Sequence, residues 1–276
     1  MAAVRLESKS GVVDVGGADV VLMGVINRSP ESNNKDVFAE SPERAVAMAA
    51  EYERHGVRII DIGGQSTNYE NPDIGVVEEL RRLIPTVDAL RTAGFVVSVD
   101  TWKPEVAAAV LDAGAALIND TGGLKDPKMV EVLAQTGAPA VLMYLEAGVP
   151  NDAEAYDTAD GKSARIRDAI GARLAALATE GVKRLVVDPG IAISYRTDYE
   201  AYTRVQFEVA ANLDRLRELD APVLYAVPRK DGRHRNVALA ALAMQSGADM
   251  LRIHDIAEIA DIARLMGRLS AAAGAA

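Results

Sequence analysis

ALINDTGG, residues 116–123, carries three apolar residues into Asn119 and Asp120, then a threonine and two glycines. A segment that reads as a buried strand thus ends on an amide and a carboxylate. The pattern recurs along the chain. Short apolar, β-branched runs stand at VLMGVI (21–26), RIIDIG (58–63), FVVSVD (95–100), ALIND (116–120), AVLMYL (140–145), RLVVD (184–188), VLYAV (223–227) and MLRIH (250–254). They are nearly continuous in apolar residues, as strands are when a parallel sheet is covered by helices.

Helix-like stretches with matching punctuation separate these runs. Ser41-Pro42-Glu43 reads as an N-cap, a first-turn proline and an acid, and opens a helix closing on Gly56. Lys103-Pro104 and Asp126-Pro127 open two more, closing on Gly114 and Gly137. Further helices are expected over 76–94, 163–181, from about Tyr199 to Leu219, 236–247 and 256–269. Eight strands each followed by a helix predict an α/β fold of one domain over 1–276, a (β/α)8 TIM barrel. The preceding ESKSGVVDVGG is expected to form an N-terminal hairpin plugging the barrel floor.

Composition narrows the function classes. The 276 residues are 49% hydrophobic and 25% charged, enough for a sizeable core. With no cysteine, disulfides and thiolate metal sites are excluded. A net charge of −10 argues against general nucleic-acid binding. MAAVRLESKS lacks a long apolar segment and no run approaches a membrane span, so a cytoplasmic protein without membrane contact is expected. Three histidines without a short-spaced pair make a zinc site improbable, and His55 before Gly56 reads as a helix end. Gly161-Lys162-Ser163 ends like a phosphate loop, but Tyr156 stands where its first glycine belongs, so it reads as a helix cap. RKDGRHR (229–235) reads either as a solvated loop or as an anion-attracting rim. The small apolar residues of the last two helices are expected to pack inward, with part of that surface available for a homodimer.

In such barrels the chemistry sits at the carboxyl ends of the strands. Those ends carry Asn27, Asp61 with Gln65-Ser66-Thr67, Asp100, Asn119 with Asp120, Tyr144, Asp188, Arg229 with Lys230, and Arg252 with His254. A strand-end Asp is often a turn former, and Asp61 and Asp120 leave both readings open. An unpaired buried amide costs about 1–3 kcal/mol and a carboxylate more, so several at one mouth imply a polar ligand. Asp100, Asn119 and Asp188 suit a flat ring with an amidine-like N–H/NH2 edge. Lys230 can donate to a ring carbonyl, and Arg252 can stack on its face or clamp an anion.

At these residues the chain resembles the dihydropteroate synthase family of pterin-binding barrels. The matching stretches are MGVINRSPES (23–32), IDIGGQST (60–67), SVDTWKPEVA (98–107), LIND (117–120), DPGI (188–191), PRK (228–230) and RIHD (252–255). The resemblance implies a transferase of folate biosynthesis that joins a hydroxymethyl-dihydropterin diphosphate to p-aminobenzoate or a related amine and releases pyrophosphate. It further implies a pterin pocket of Asp100, Asn119, Asp188, Lys230 and Arg252. The implied diphosphate site is Asn27, Thr67, Arg252 and His254, with Mg²⁺ at Asn27. Lys230, Arg252 and His254 are the implied catalytic groups. The sequence departs from the family on the acceptor side. Asn33 replaces an aromatic, Asn68 an arginine and Pro228 a serine, with Arg28 or Arg196 as candidate substitutes for the lost charge. Tyr144 stands where a Met-His pair is usual. A methyltetrahydrofolate-dependent methyltransferase and a non-catalytic pterin-binding paralogue are the alternatives.

Overall fold

The computed structural model describes residues 3–68, 70–146, 150, 161–193, 198–228 and 232–270. An antiparallel hairpin, β1 (Val4–Ser8) and β2 (Gly11–Val15), precedes the alternation. Then follow β3 (Val21–Asn27), α1 (Pro42–Arg54), β4 (Val57–Gly63), α2 (Val76–Thr92), β5 (Val96–Asp100), α3 (Pro104–Asp112), β6 (Leu117–Asp120), α4 (Pro127–Thr136) and β7 (Ala140–Met143). The chain continues through α5 (Lys162–Thr179), β8 (Leu185–Asp188), α6 (Tyr199–Ala211), α7 (Asp214–Arg217), β9 (Leu224–Ala226), α8 (Arg233–Gln245), β10 (Met250–Ile253) and α9 (Ile256–Leu265).

The eight strands β3 to β10 pair in parallel, with β10 joining β3 to β9. A bridge between Val187 and Val223 joins β8 to β9 and closes the cylinder. The expected (β/α)8 barrel is therefore present. The caps follow the sequence signals. Ser41 Oγ accepts from Arg44 N at 3.2 Å, Asp126 accepts from Lys128 N at 2.9 Å, and Gly137 ends α4 at φ +66°. Two expectations need correction. The helix expected from Tyr199 to Leu219 is two helices, since Asn212, at φ −125° and ψ +29°, leaves helical geometry and ends the first. Of the expected loop RKDGRHR, Arg233–Arg235 form the first turn of α8, while 229–231 lie outside the described residues.

Side chains alternate across each strand, and that parity builds the site. Outward residues such as Leu22, Ile60, Val97, Ile118, Val187 and Leu251 pack under the helices. Inward residues Met23, Ile59, Val96, Leu117, Val141, Val186, Leu224 and Met250 fill the lower barrel and pack with Val4, Leu6, Val13 and Val15 of the hairpin. The hairpin is thus the expected floor plug. Two positions further along each strand, the inward set becomes Val25, Asp61, Ser98, Asn119, Met143, Asp188, Ala226 and Arg252. The apolar plug below and the polar layer above belong to the same inward faces. Among the described residues, no helix is long and apolar enough to cross a membrane.

Candidate active site

The two polar residues closing β6 have different jobs because they point opposite ways. Asp120 faces outward and forms the turn itself, accepting from Gly122 N at 2.6 Å and Leu124 N at 3.0 Å. Burial lifts its pKa to about 7, against those two amides. Asn119 faces inward, and its Nδ2 donates to Asp61 Oδ2 at 3.1 Å.

Asp61 is the hub of the inner layer and fully buried. Its Oδ1 accepts from Ser98 Oγ at 2.6 Å, and its Oδ2 accepts from Arg252 Nε at 2.6 Å as well as from Asn119. Arg252 Nη2 reaches Asp100 Oδ2 at 3.0 Å, and Thr121 Oγ1 donates to Asp100 Oδ1 at 3.1 Å. One guanidinium therefore serves two carboxylates. Burial raises the Asp100 pKa to about 7, with Arg252 opposing and the Asp61 charge adding to it. Burial works against the Arg252 charge, but Asp61 and Asp100 outweigh it and its pKa is raised. Asp188 Oδ1 accepts from Gly190 N at 2.7 Å, and burial lifts its pKa to about 6. Gly190 is required there. Its φ is +69°, and a Cβ would lie 1.9 Å from the Tyr144 carbonyl oxygen.

Above this layer opens a cavity of about 470 Å³. Asp100, Asn119, Asp188 and Arg252 line its base, and Asn27, Thr67 and His254 its mouth. The structure thus brings together the expected residues that lie within its described part. Lys230 and Arg196 lie outside the described residues. Arg28 does not substitute for the missing loop charge. Its side chain does not line the cavity but turns to the Ala39 carbonyl. Gly161 takes the N-cap position of α5 without a side-chain cap bond, and Lys162 and Ser163 begin the helix, the buried Lys162 paired to Glu146. The Tyr144 hydroxyl also donates to Glu146, at 2.6 Å, outside the cavity lining.

Two groups escaped the sequence reading, Thr121 and the loop-holding role of Lys103, and Asp61, left open there between turn former and site residue, proves to be neither. Asp61 does not touch the cavity but holds two residues of its base, Asn119 and Arg252, in place, and accepts from Ser98 as well. Thr121, two residues after Asn119, shares its inward parity and lines the cavity beside Asp100. Lys103 ties down the loop after β4, which supplies the cavity residues Ser66, Thr67 and Asn68. Its Nζ reaches Gln65 Oε1 at 2.5 Å, Asp73 at 3.3 Å, Glu79 at 3.0 Å and the Ile74 carbonyl. Both ends of that loop are thereby joined to α2, where Thr101 Oγ1 also donates to Glu79 at 2.8 Å. The loop after β3 is anchored to α2 by Glu31, 2.9 Å from Arg82.

Two acids, an amide and an arginine thus converge at the carboxyl ends of the strands of a closed parallel barrel, the class of α/β barrel whose polar site lies at that face. Residues 23–254 match the family of pterin binding enzymes, and the chain belongs to that family. It is 32% identical over 255 residues to a probable bifunctional folylpolyglutamate synthase/dihydropteroate synthase of Halobacterium salinarum, covering 88% of this chain but 30% of that protein. It is 31% identical over 260 residues to a dihydropteroate synthase of Bacillus subtilis, covering 89% of this chain and 87% of that one. The dihydropteroate synthase of Xanthomonas albilineans, solved in complex with 7,8-dihydropteroate, superposes with a TM-score of 0.74 at 30% identity. The match covers 95% of this chain and 97% of that one.

Proposed function

We propose that the protein is a dihydropteroate-synthase-type transferase. It joins a hydroxymethyl-dihydropterin diphosphate to an arylamine, p-aminobenzoate or a related compound, and releases pyrophosphate. The observation that carries this reading is the convergence of Asp100, Asn119, Asp188 and Arg252 on one cavity at the barrel mouth. An ionised carboxylate accepts two hydrogen bonds from an N–H/NH2 edge, and the Asn119 amide both donates and accepts. Lys230 donates to the ring carbonyl in this reading.

The reaction breaks the bond between the pterin methylene carbon and the diphosphate oxygen, and the electron pair leaves with pyrophosphate. The amine lone pair forms the new C–N bond, and the amine proton is released. Buried carboxylates beside the ring stabilise the electron-poor pterin, and donors at the mouth stabilise the departing anion. Arg252 uses Nε and one Nη2 hydrogen on Asp61 and Asp100, so its remaining N–H groups are available to phosphate oxygens. Asn27, Thr67 and His254 complete the anion site. Lys230, Arg252 and His254 are the catalytic groups.

Mg²⁺ is the proposed metal, with Asn27 as its protein ligand. Among the described residues, no group of three or more His, Asp or Glu could hold a metal ion, which suits a cation carried chiefly by diphosphate and water. Asn27 Oδ1 accepts from Ser29 N at 2.8 Å, and an amide oxygen has a second lone pair to offer. When bound, the ion would neutralise charge on the leaving group. A second copy of the chain is the proposed partner, and the exposed Leu265 on α9 supports that surface. A cytoplasmic setting suits a chain without cysteine.

The test is pyrophosphate release from the pterin diphosphate with and without an arylamine. Saturable, amine-dependent release is expected. Pterin binding without release overturns the reading in favour of methyl transfer or a non-catalytic pterin binder.

A further inference from the structure

The loops after β3 and β4 meet at one guanidinium behind the cavity wall. Arg82, on α2, has a side chain only 12% exposed. Its Nε donates to Glu78 Oε1 at 2.8 Å, one turn back on the same helix, which fixes the plane of the fork. Its Nη1 carries two hydrogens and spends them on different loops. One serves the Glu31 carboxylate of the loop after β3, at 2.9 and 3.0 Å. The other meets the Gly64 carbonyl, which opens the loop after β4, at 2.9 Å.

Each contact leads to the cavity mouth by a short path. Glu31 sits in a turn where Ser32 N donates to Ser29 O at 3.2 Å, and Ser29 N donates to Asn27 Oδ1 at 2.8 Å. Gly64 precedes Thr67 by three residues and lies directly on α2, where a Cβ would come 2.9 Å from Glu79 Cγ and Leu83 Cγ. Asn27 and Thr67 line the cavity, whereas Glu31 and Arg82 do not. The strand ends are tied directly, Arg28 N donating to Gly63 O at 2.9 Å. Beyond that bond, Arg82 joins the two loops. An exposed ion pair would contribute little, but Glu31 is also only 18% exposed at its side chain and a backbone carbonyl shares the donor.

We infer that Arg82, with Glu31, is a positioning residue that couples the two loops, so that Asn27 and Thr67 are presented together to one diphosphate. This deepens the transferase reading and rests on it for the identity of the ligand group. Neither residue touches ligand. Their effect is to lower the ordering cost that two independent loops would add to binding.

Calorimetry is run with the hydroxymethyl-dihydropterin diphosphate and with a 7,8-dihydropterin lacking the diphosphate, both with Mg²⁺. The proteins are the native chain, Arg82→Met, Glu31→Gln and the double variant. Arg82→Met is expected to weaken the diphosphate compound at least about tenfold, the scale of a lost charged hydrogen bond, and the bare ring less than about twofold. A general loss of structure would weaken both alike. Glu31→Gln keeps the shape of the side chain and is expected to act in the same selective direction, several-fold. The double variant is expected to bind as Arg82→Met does, because both residues act through one contact. Unchanged diphosphate affinity in either single variant, parallel loss of both compounds in Glu31→Gln, or additive losses in the double variant overturns the proposal and leaves the transferase reading in place. A native protein that binds the diphosphate compound no more tightly than the bare ring overturns the diphosphate site of that reading, and the inference with it.

Discussion

Asp61→Asn is the perturbation that most clearly separates support of the cavity base from contact with ligand. Asp61 is fully buried and does not line the cavity, yet it accepts from Ser98 at 2.6 Å, Asn119 at 3.1 Å and Arg252 at 2.6 Å. An asparagine of the same shape offers one acceptor oxygen and turns an NH2 toward at least one of these donors. A hydrogen bond to a charged group contributes about 1.5–3 kcal/mol, and breaking a buried ion pair by removing one partner costs about 3–5 kcal/mol. Arg252 keeps Asp100 at 3.0 Å, so the lower half of that range applies, about 3–4 kcal/mol. Urea unfolding at pH 7 reads this as a lower midpoint at unchanged slope. Calorimetry with a 7,8-dihydropterin is expected to show at least about tenfold weaker binding, since Asn119 and Arg252 lose their common anchor. A midpoint within about 0.5 kcal/mol of the native protein, together with unchanged pterin affinity, would refute the role given to this carboxylate.

The buried acids predict two opposite pH trends in one thermal-shift experiment. Asp188, at about 6, and Asp100 and Asp120, at about 7, all titrate above their unfolded value of 3.8. The folded state therefore holds these protons more tightly, and their contribution to ligand-free stability falls as pH rises from about 4 to 7. In the proposed function the pterin edge is held by the Asp188 carboxylate, so the affinity is expected to rise over the same interval. At pH 5 about one tenth of Asp188 is ionised, which makes binding roughly tenfold weaker than at pH 8. A ligand-induced shift that is the same at pH 5 and pH 8 would remove Asp188 from ring recognition. Lys103→Met should release both ends of the loop after β4 and raise KM for the pterin diphosphate by about tenfold, the lower bound for losing a charged hydrogen bond, with a smaller change in kcat. Steady-state kinetics in which kcat falls and KM holds would show that Lys103 does not act through the loop.

Much of the fold was legible because both signals it needs are local. The apolar runs and the Ser41-Pro42, Asp126-Pro127 and Gly137 punctuation each depend on a few neighbouring residues. The break at Asn212 was not, because the helical pattern runs on through 199–219 and no proline marks the interruption. The site was legible in its residue types and less so in its geometry. Asp61 and Asp120 read alike as strand-end acids. Only the inward parity set by Ile59 and Leu117 in the plug shows that Asp61 joins Asn119 while Asp120 turns away. That parity, applied from Asn119, would also have found Thr121. Lys103 had no local signal, since its partners Gln65, Asp73 and Glu79 meet it only once the barrel closes.

Calorimetric titration of a 7,8-dihydropterin into the native protein and into Asp188→Asn tests most directly whether this mouth grips a pterin by its edge. Saturable binding is expected, weakened at least about tenfold by the substitution, since the variant loses a charged acceptor for the N–H/NH2 edge. No binding to the native protein, or equal affinity in the variant, would contradict the account.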